Sequence, residues 1–316
     1  MKPPTPEIAP DWAGCLAAAQ REGRPMAGAL TLLIPTLGRP ILARCLAAVL
    51  AGTAWPAAII VVDQGSSGFI DGWLEDLRAL GIAARHEPCA GRGRALGLNV
   101  GLRLVTTPCV VITDDDCIPE AHWIERFAAH LAREPGLVFT GRVAAAGDER
   151  VINIVADARP SIARRPAWSF DRLSGGNCGM SLAVLRRVGL FDEDPCMRYA
   201  EDGEWAYRAL RAGVPISYSP DLEVAHLGWR ELDQRLDQYQ GYARSHGAFF
   251  GKHLRRGDAF MALRAGLHFA RALRRWLRGL VRGDTELAAN GRSYATQLVP
   301  GIIAGMRSRI TPPSLP

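Results

Sequence analysis

Three consecutive carboxylates, Asp114-Asp115-Asp116, follow the apolar run Cys109-Val110-Val111-Ile112-Thr113. Like charges this close repel and raise one another's pKa unless a cation shares the site. A hard divalent cation takes oxygen ligands, and carboxylates together with substrate phosphates suit Mg²⁺ or Mn²⁺. In an open α/β sheet, ligands bind just beyond the carboxyl ends of the strands. The triplet therefore reads as a metal–diphosphate site, with a solvated Asp-rich turn as the alternative. Asp63, at the end of the run 57–62, offers a further acceptor for a nucleobase or ribose donor. Glu201-Asp202-Gly203-Glu204 is a third acidic group, either general acid–base machinery or the first turn of a helix, where carboxylates are favoured.

Strands and helices must alternate to bring these groups together. Apolar runs at 30–34, 57–62, 82–86 and 109–113 read as strands, and 41–50, 69–80, 94–105 and 122–132 have helical spacing. A further strand is expected at 137–143 and a helix at 182–188. Such alternation points to an α/β fold with a parallel sheet covered by helices on both faces, which accounts for runs such as Ile59-Ile60-Val61-Val62. Breaker clusters at Pro35-Thr36-Leu37-Gly38-Arg39-Pro40 and Asp63-Gln64-Gly65-Ser66-Ser67 close the first two strands. The stretch Gly91-Arg92-Gly93-Arg94-Ala95-Leu96-Gly97 has neither the preceding strand nor the spacing of a dinucleotide fingerprint, and there is no P-loop.

The 316 residues are 48% hydrophobic and 22% charged, which is enough apolar material for a globular core. No apolar stretch reaches the 18 residues of a membrane span, and the Pro-rich start leads into no signal-peptide core. Seven cysteines without a C-x-x-C pair read as small buried residues of a reducing cytoplasm. The net charge of +6 is segregated: residues 241–316 hold 13 Lys/Arg against three Asp/Glu, whereas residues 1–240 carry 25 against 29. One end of the molecule is therefore suited to an anionic surface. No nucleic-acid module accompanies that charge, and no nucleic-acid partner is expected.

The second half adds Leu173-Ser174-Gly175-Gly176-Asn177, Gly189-Leu190-Phe191-Asp192-Glu193 and Val224-Ala225-His226. Together with Ile34-Pro35-Thr36…Arg39-Pro40, Val61-Val62-Asp63…Ser66, Asn99-Val100-Gly101, Asp114-Asp115-Asp116-Cys117-Ile118-Pro119 and Glu201-Asp202, they form an ordered set. From about Leu30 to Trp229 the chain resembles the family 2 glycosyltransferases. That resemblance implies the GT-A fold, a Rossmann-like, mostly parallel sheet with helices on both faces. It divides the chain into an N-terminal extension (1–28), a catalytic domain (29–235) and a basic helical C-terminal region (236–316).

The resemblance also implies a reaction: inverting transfer of a sugar from a nucleotide-diphosphate donor of the UDP, GDP or dTDP type to an acceptor hydroxyl. It assigns Asp202, with Glu201 beside it, to general-base catalysis. It assigns Asp114, Asp116 and His226 to a divalent cation, Mn²⁺ or Mg²⁺. Pro35, Thr36, Arg39, Asp63, Arg94, Asp114, Asp115, Gly176 and Asn177 are expected around the nucleotide-sugar, with the Gly175–Gly176–Asn177 loop against the donor sugar. The sequence departs from the family's pattern in two places. Ser66-Ser67-Gly68 stands where a second Asp is frequent, and Gly97-Leu98-Asn99 replaces Ala-Arg-Asn. A sugar-1-phosphate nucleotidyltransferase is the competing enzyme class, but it wants a Lys-containing, Gly-rich phosphate loop after the first strand, and 35–40 holds one Gly and no Lys.

The tail suggests a location. Over 258–282, at about 100° per residue, Arg264, Arg271, Arg275, Arg278 and Arg282 form one stripe. Phe269, Leu273, Trp276, Leu277 and Leu280 fall opposite. Such a helix suits an anionic membrane interface, placing the enzyme in the cytoplasm or peripherally on the inner membrane face, with lipid-linked or cell-envelope acceptors; a helix packed on the catalytic domain with a solvated Arg face, and small natural-product acceptors, are the alternatives.

Overall fold

The computed structural model describes residues 11–146, 155–227 and 232–315. The start of the N-terminal extension, residues 147–154 and the end of the family resemblance at Trp229 lie outside them. In chain order the elements are α1 (Trp12–Glu22), β1 (Met26–Thr36), α2 (Leu42–Leu50), β2 (Trp55–Asp63), α3 (Ile70–Ala79), β3 (Ala83–Pro88), α4 (Arg94–Leu102), β4 (Cys109–Thr113) and β5 (Cys117–Pro119). There follow α5 (Trp123–Arg133), β6 (Val138–Ala145), β7 (Ser161–Ala163), β8 (Asn177–Ser181), α6 (Leu182–Val188), α7 (Glu201–Arg211) and β9 (Ile216–His226). Three long helices end the chain: α8 (Leu232–Arg255), α9 (Ala259–Arg282) and α10 (Thr285–Arg307).

One sheet runs through the molecule in the order β3-β2-β1-β4-β8-β6-β9-β5, with β7 on β9. The first four strands are parallel. Their side chains alternate between two cores: Leu32, Ile34, Ile59, Val61 and Val111 enter one layer, and Leu33, Ile60, Val62, Val110 and Ile112 the other. Burial on both faces is the physical reason these strands read as unbroken apolar runs. The central strand β8 was not apparent in the sequence, because Asn177 and Gly179 interrupt its apolar pattern. It lies antiparallel between β4 and β6, buried at every position. A Cβ at Gly179 would stand 2.8 Å from the Phe127 ring, so the small residue is what lets α5 pack there.

The C-terminal helices add a third core around Tyr207, Phe249, Phe250, Met261 and Leu298. Helices α8 and α10 approach closely where Gly247 and Gly251 face Gly301 and Ile302. Helix α9 is oriented differently from the simple amphipathic expectation. Arg264 is fully buried, donating from Nη1 to Asp171 at 2.9 Å and from Nε to the Ser169 carbonyl at 2.7 Å. The apolar side, with Leu263, Leu277, Leu280 and Val281, is left exposed.

Burial, reinforced by Arg264 and other cations, keeps the imidazoles of this layer neutral. It holds His246 down to about 3 and His268 to about 4. A histidine whose folded pKa lies below its unfolded value of about 6.5 contributes stability above pH 6.5 that is lost as pH falls toward the folded value. Between pH 7.5 and 5.0, a His268→Leu variant is therefore expected to lose about 2 kcal/mol less stability than the wild type. Urea unfolding at both pH values measures this difference, and an identical pH response of the two proteins contradicts it.

Candidate active site

Each acidic group sits where a strand ends, and register decides what it meets. Antiparallel pairing aligns Thr113 with Asn177, which brings the next residues, Asp114 and Gly176, face to face. The Thr113 hydroxyl donates to the Gly176 carbonyl at 3.0 Å. A Cβ on Gly176 would lie 2.6 Å from Asp114 Oδ2, and one on Gly175 would lie 2.7 Å from Arg94 Nη1. At both glycines a side chain would displace Asp114 or Arg94 from its present position. Similarly, Cys117 pairs with His226 across β5 and β9, and the Leu227 N–H donates to the Asp116 carbonyl at 2.9 Å. His226 Nε2 consequently stands 3.6 Å from Asp116 Oδ1, while Nδ1 is buried with no hydrogen-bond partner.

The three aspartates of the triplet have separate surroundings. Asp114 accepts from Arg94 Nε at 2.9 Å, and the same guanidinium reaches Glu201 Oε1 at 3.4 Å. Burial opposes the charge on Arg94, but Asp114, Glu201 and Asp202 more than offset this and keep it firmly protonated. Asp115 is buried and occupied, accepting from the Thr36 hydroxyl at 2.6 Å and from Arg39 Nε at 3.1 Å. It positions Thr36 and Arg39 instead of facing a ligand with a free carboxylate. Asp116 accepts from Arg39 on one oxygen at 3.1 Å and turns the other toward His226.

Asp116 and His226 fit a divalent cation: a carboxylate and an imidazole face one another beside an open cleft, and Mn²⁺ accepts such a donor set. Cys117 completes the cluster, with ligand atoms within 4.8 Å of one another. Burial, then Asp114 and Asp116, push its thiol well above the usual range. Asp114, expected with the metal ligands, stands outside this cluster and is held by Arg94.

Glu201 and Asp202 open α7 beside Arg94. Burial raises the pKa of both carboxyls; proximity to Asp202 adds to it for Glu201, and Arg94 opposes it for both. Glu201 Oε2 is buried without a partner, and Asp202 Oδ1 accepts from the Gly203 N–H at 2.7 Å.

These side chains line a single cleft of about 770 Å³. Pro35, Thr36, Arg39, Arg94, Asp114, Asp115, Asp116, Gly176, Glu201, Asp202 and His226 all border it. Two expected residues do not. Asp63 is fully buried, accepting from the backbone N–H of Gly65 and of Ser67, each at 2.7 Å, and from the Ser67 hydroxyl at 3.0 Å. These bonds hold the 63–67 turn, and its neighbour Gln64 borders the cleft. Gln64 Nε2 donates to the carbonyls of Gly91 and Gly93 at 2.7 and 3.1 Å, fixing the loop that delivers Arg94. Asn177 also turns inward, donating to the carbonyls of Arg142 and Leu222 and accepting from Trp123 Nε1 at 3.0 Å. A polar side chain in a strand interior is tolerable only when so fully bonded.

The sequence profile described as "Glycosyl transferase family 2" matches residues 31–189, half of the chain. The chain belongs to glycosyltransferase family 2. No curated protein matches it significantly. Solved structures with the same fold include a mannosyltransferase, PcManGT from Pyrobaculum calidifontis, in complex with GDP-Man and Mn²⁺. The alignment covers 93% of this chain and 94% of that one, with TM-score 0.57 and 20% identity. TarS of S. aureus (residues 1–349, with UDP-GlcNAc) aligns over 84% of this chain and 91% of its own, with TM-score 0.52 and 14% identity. GalNAc-T7 with UDP, GalNAc and Mn²⁺ aligns over 73% and 52%, with TM-score 0.52 and 13% identity. The protein is therefore a GT-A glycosyltransferase, and Asp114, Asp115 and Asp116 of the matched segment border its cleft.

Proposed function

We propose that this glycosyltransferase moves a sugar from a nucleotide-diphosphate donor to an acceptor hydroxyl, with inversion and with the help of a divalent cation. The observation that carries this reading is one cleft bordered by Asp116, His226, Arg39, Arg94 and Asp202. Asp116 and His226 would hold the cation, which when bound supplies positive charge against that developing on the leaving diphosphate. Arg39 and Arg94 add fixed positive charge on the same wall. Asp202 takes the proton of the attacking hydroxyl, and a single displacement with one base gives inversion. Complexes of PcManGT with GDP-Man and Mn²⁺ and of TarS with UDP-GlcNAc support a nucleotide-sugar donor.

A thermal-shift panel of UDP-, GDP- and dTDP-sugars, each with Mn²⁺ and with EDTA, tests this. Binding to the native state raises apparent stability by about 2.7 kcal/mol at a hundred times the dissociation constant. One nucleotude class is expected to give a Mn²⁺-dependent shift that Asp116→Asn abolishes. If well-folded protein shows no shift with any nucleotide-sugar, the reading is wrong.

We place the enzyme peripherally on a membrane, with lipid-linked or cell-envelope acceptors. No helix among the described residues is long and apolar enough to cross one. Leu277 and Leu280 are each 62% exposed and Val281 87%, on a helix flanked by exposed Arg271, Arg274, Arg278 and Arg282. Apolar residues beside a cationic edge suit the headgroup boundary of an anionic bilayer. Flotation with phosphatidylglycerol vesicles, but not with phosphatidylcholine vesicles, is the expected result; absence of flotation with both removes the membrane assignment.

A further inference from the structure

The cleft continues past the carboxylate wall into the C-terminal helices, beyond the stretch matched to the family. Its far wall is aromatic and continuous. Tyr199, three residues before Asp202, lies 5.3 Å from Tyr242, between ring centroids. Tyr242 stacks on His246 at 6.2 Å, and His246 on Tyr294 at 5.8 Å. Phe170 meets His246 at 4.8 Å, and the Arg275 guanidinium stands 5.1 Å above the Tyr294 ring.

Three polar atoms at this end are buried yet have no hydrogen-bond partner: Gln238 Oε1, Arg275 Nε and Asn290 Oδ1. They come from three different helices, α8, α9 and α10, and all three residues border the cleft. Buried polar groups are normally paired, so three unpaired ones on residues bordering one end of a cleft mark it as a place for a polar ligand. Two of the atoms are acceptors and call for O–H donors. The third belongs to a cation and calls for an oxygen acceptor, best an anionic one. His246 Nδ1 and the Tyr294 hydroxyl share a hydrogen bond at 2.7 Å, which fixes both rings in this wall.

We infer that the α8–α10 end of the cleft is the acceptor subsite and that it takes a saccharide bearing an anionic group. The sugar face lies on the aromatic wall, its hydroxyls donate to Gln238 and Asn290, and its carboxylate or phosphate pairs with Arg275. This rests on the transferase reading above and specifies its second substrate. It also explains why Arg275 does not belong to the solvated Arg stripe: it is half-buried and turned into the cleft.

The test uses the full chain and three probes: methyl glucoside, methyl glucuronide and glucose 1-phosphate. Saturation-transfer NMR reads the saccharide, and the nucleotide-sugar thermal shift is followed in parallel. Preferential binding of the glucuronide or the phosphate over the neutral glucoside is expected, and which of the two binds better identifies the anion. In Arg275→Gln that preference falls at least tenfold; in Asn290→Ala binding of all three weakens. Both variants keep the nucleotide-sugar shift. If the wild type binds nucleotide-sugar but shows no anionic preference, or if Arg275→Gln leaves the preference intact, the subsite assignment fails alone. Loss of the nucleotide-sugar shift in the wild type would instead overturn the transferase reading on which it rests.

Discussion

Asp202→Asn is expected to lower kcat by about 10²–10⁴-fold, the usual contribution of a positioned general base. The substitution is nearly isosteric, and Oδ1 can still accept from the Gly203 N–H. What it removes is the capacity to take a proton, so metal-dependent donor binding should survive. Burial raises the Asp202 carboxyl against the opposing pull of Arg94. The acid limb of kcat/KM is accordingly expected above the ordinary aspartate range. Activity falls as pH drops through that limb, because the protonated acid cannot serve as base. Steady-state transfer assays on Asp202→Asn and Glu201→Gln separate the two carboxylates. A large kcat loss in Glu201→Gln with Asp202→Asn near wild type would move the role to Glu201.

The largest expected effect on stability comes from Lys252→Met. Lys252 on α8 is 4% exposed, and its ammonium lies 2.6 Å from Asp192 Oδ2 and 2.9 Å from Asp194 Oδ2. Asp192 is pushed up by burial, which Lys252 only partly reverses. Asp194, which also accepts from Cys196 and Ser308, is held down to about 2. Without the ammonium, two buried carboxylates face each other with Glu204 close by, and removing one member of a buried ion cluster costs about 3–5 kcal/mol. Chemical denaturation measures the loss, and Lys252→Met combined with Asp192→Asn should recover part of it. A change under about 1 kcal/mol would mean that water reaches these groups and that the cluster is not the tie it resembles.

That cluster also gives the 189–193 motif a physical meaning. Asn99 donates from Nδ2 to the Phe191 carbonyl and Glu193 Oε1, both at 2.8 Å, and accepts from the Phe191 N–H at 2.9 Å. Trp205 packs on Phe191 and donates to the Gly189 carbonyl at 2.8 Å. The segment is a junction joining α4, α7 and α8, not part of the reacting surface.

What the sequence alone determined is the part governed by local chemistry. Apolar runs buried on both faces announced the parallel strands, turn residues marked their ends, and the triplet at 114–116 pointed to the wall of the cleft. Its ordered motifs named the family, because the spacing of several weak signals is preserved along the chain. The tertiary structure decided how individual polar groups are spent. Asp63 and Asn177 are residue types that suit a ligand site, but each is bonded to backbone and side-chain groups around it, and no pattern reveals which partners a buried carboxylate or amide will find. Gln64, Cys117 and the Gly-interrupted, polar-headed strand β8 could be placed only by pairing register across strands distant in sequence. Helix α9 shows the same limit. Its periodicity gave two faces, yet which face packs inward depends on Asp171 and the Ser169 carbonyl, about 95 residues away, which capture Arg264 and leave the leucines outside. The far end of the cleft, bordered by Gln238, Arg275 and Asn290 on three separate helices, exists only in three dimensions, since helix packing and no motif in the chain brings these residues to one cleft.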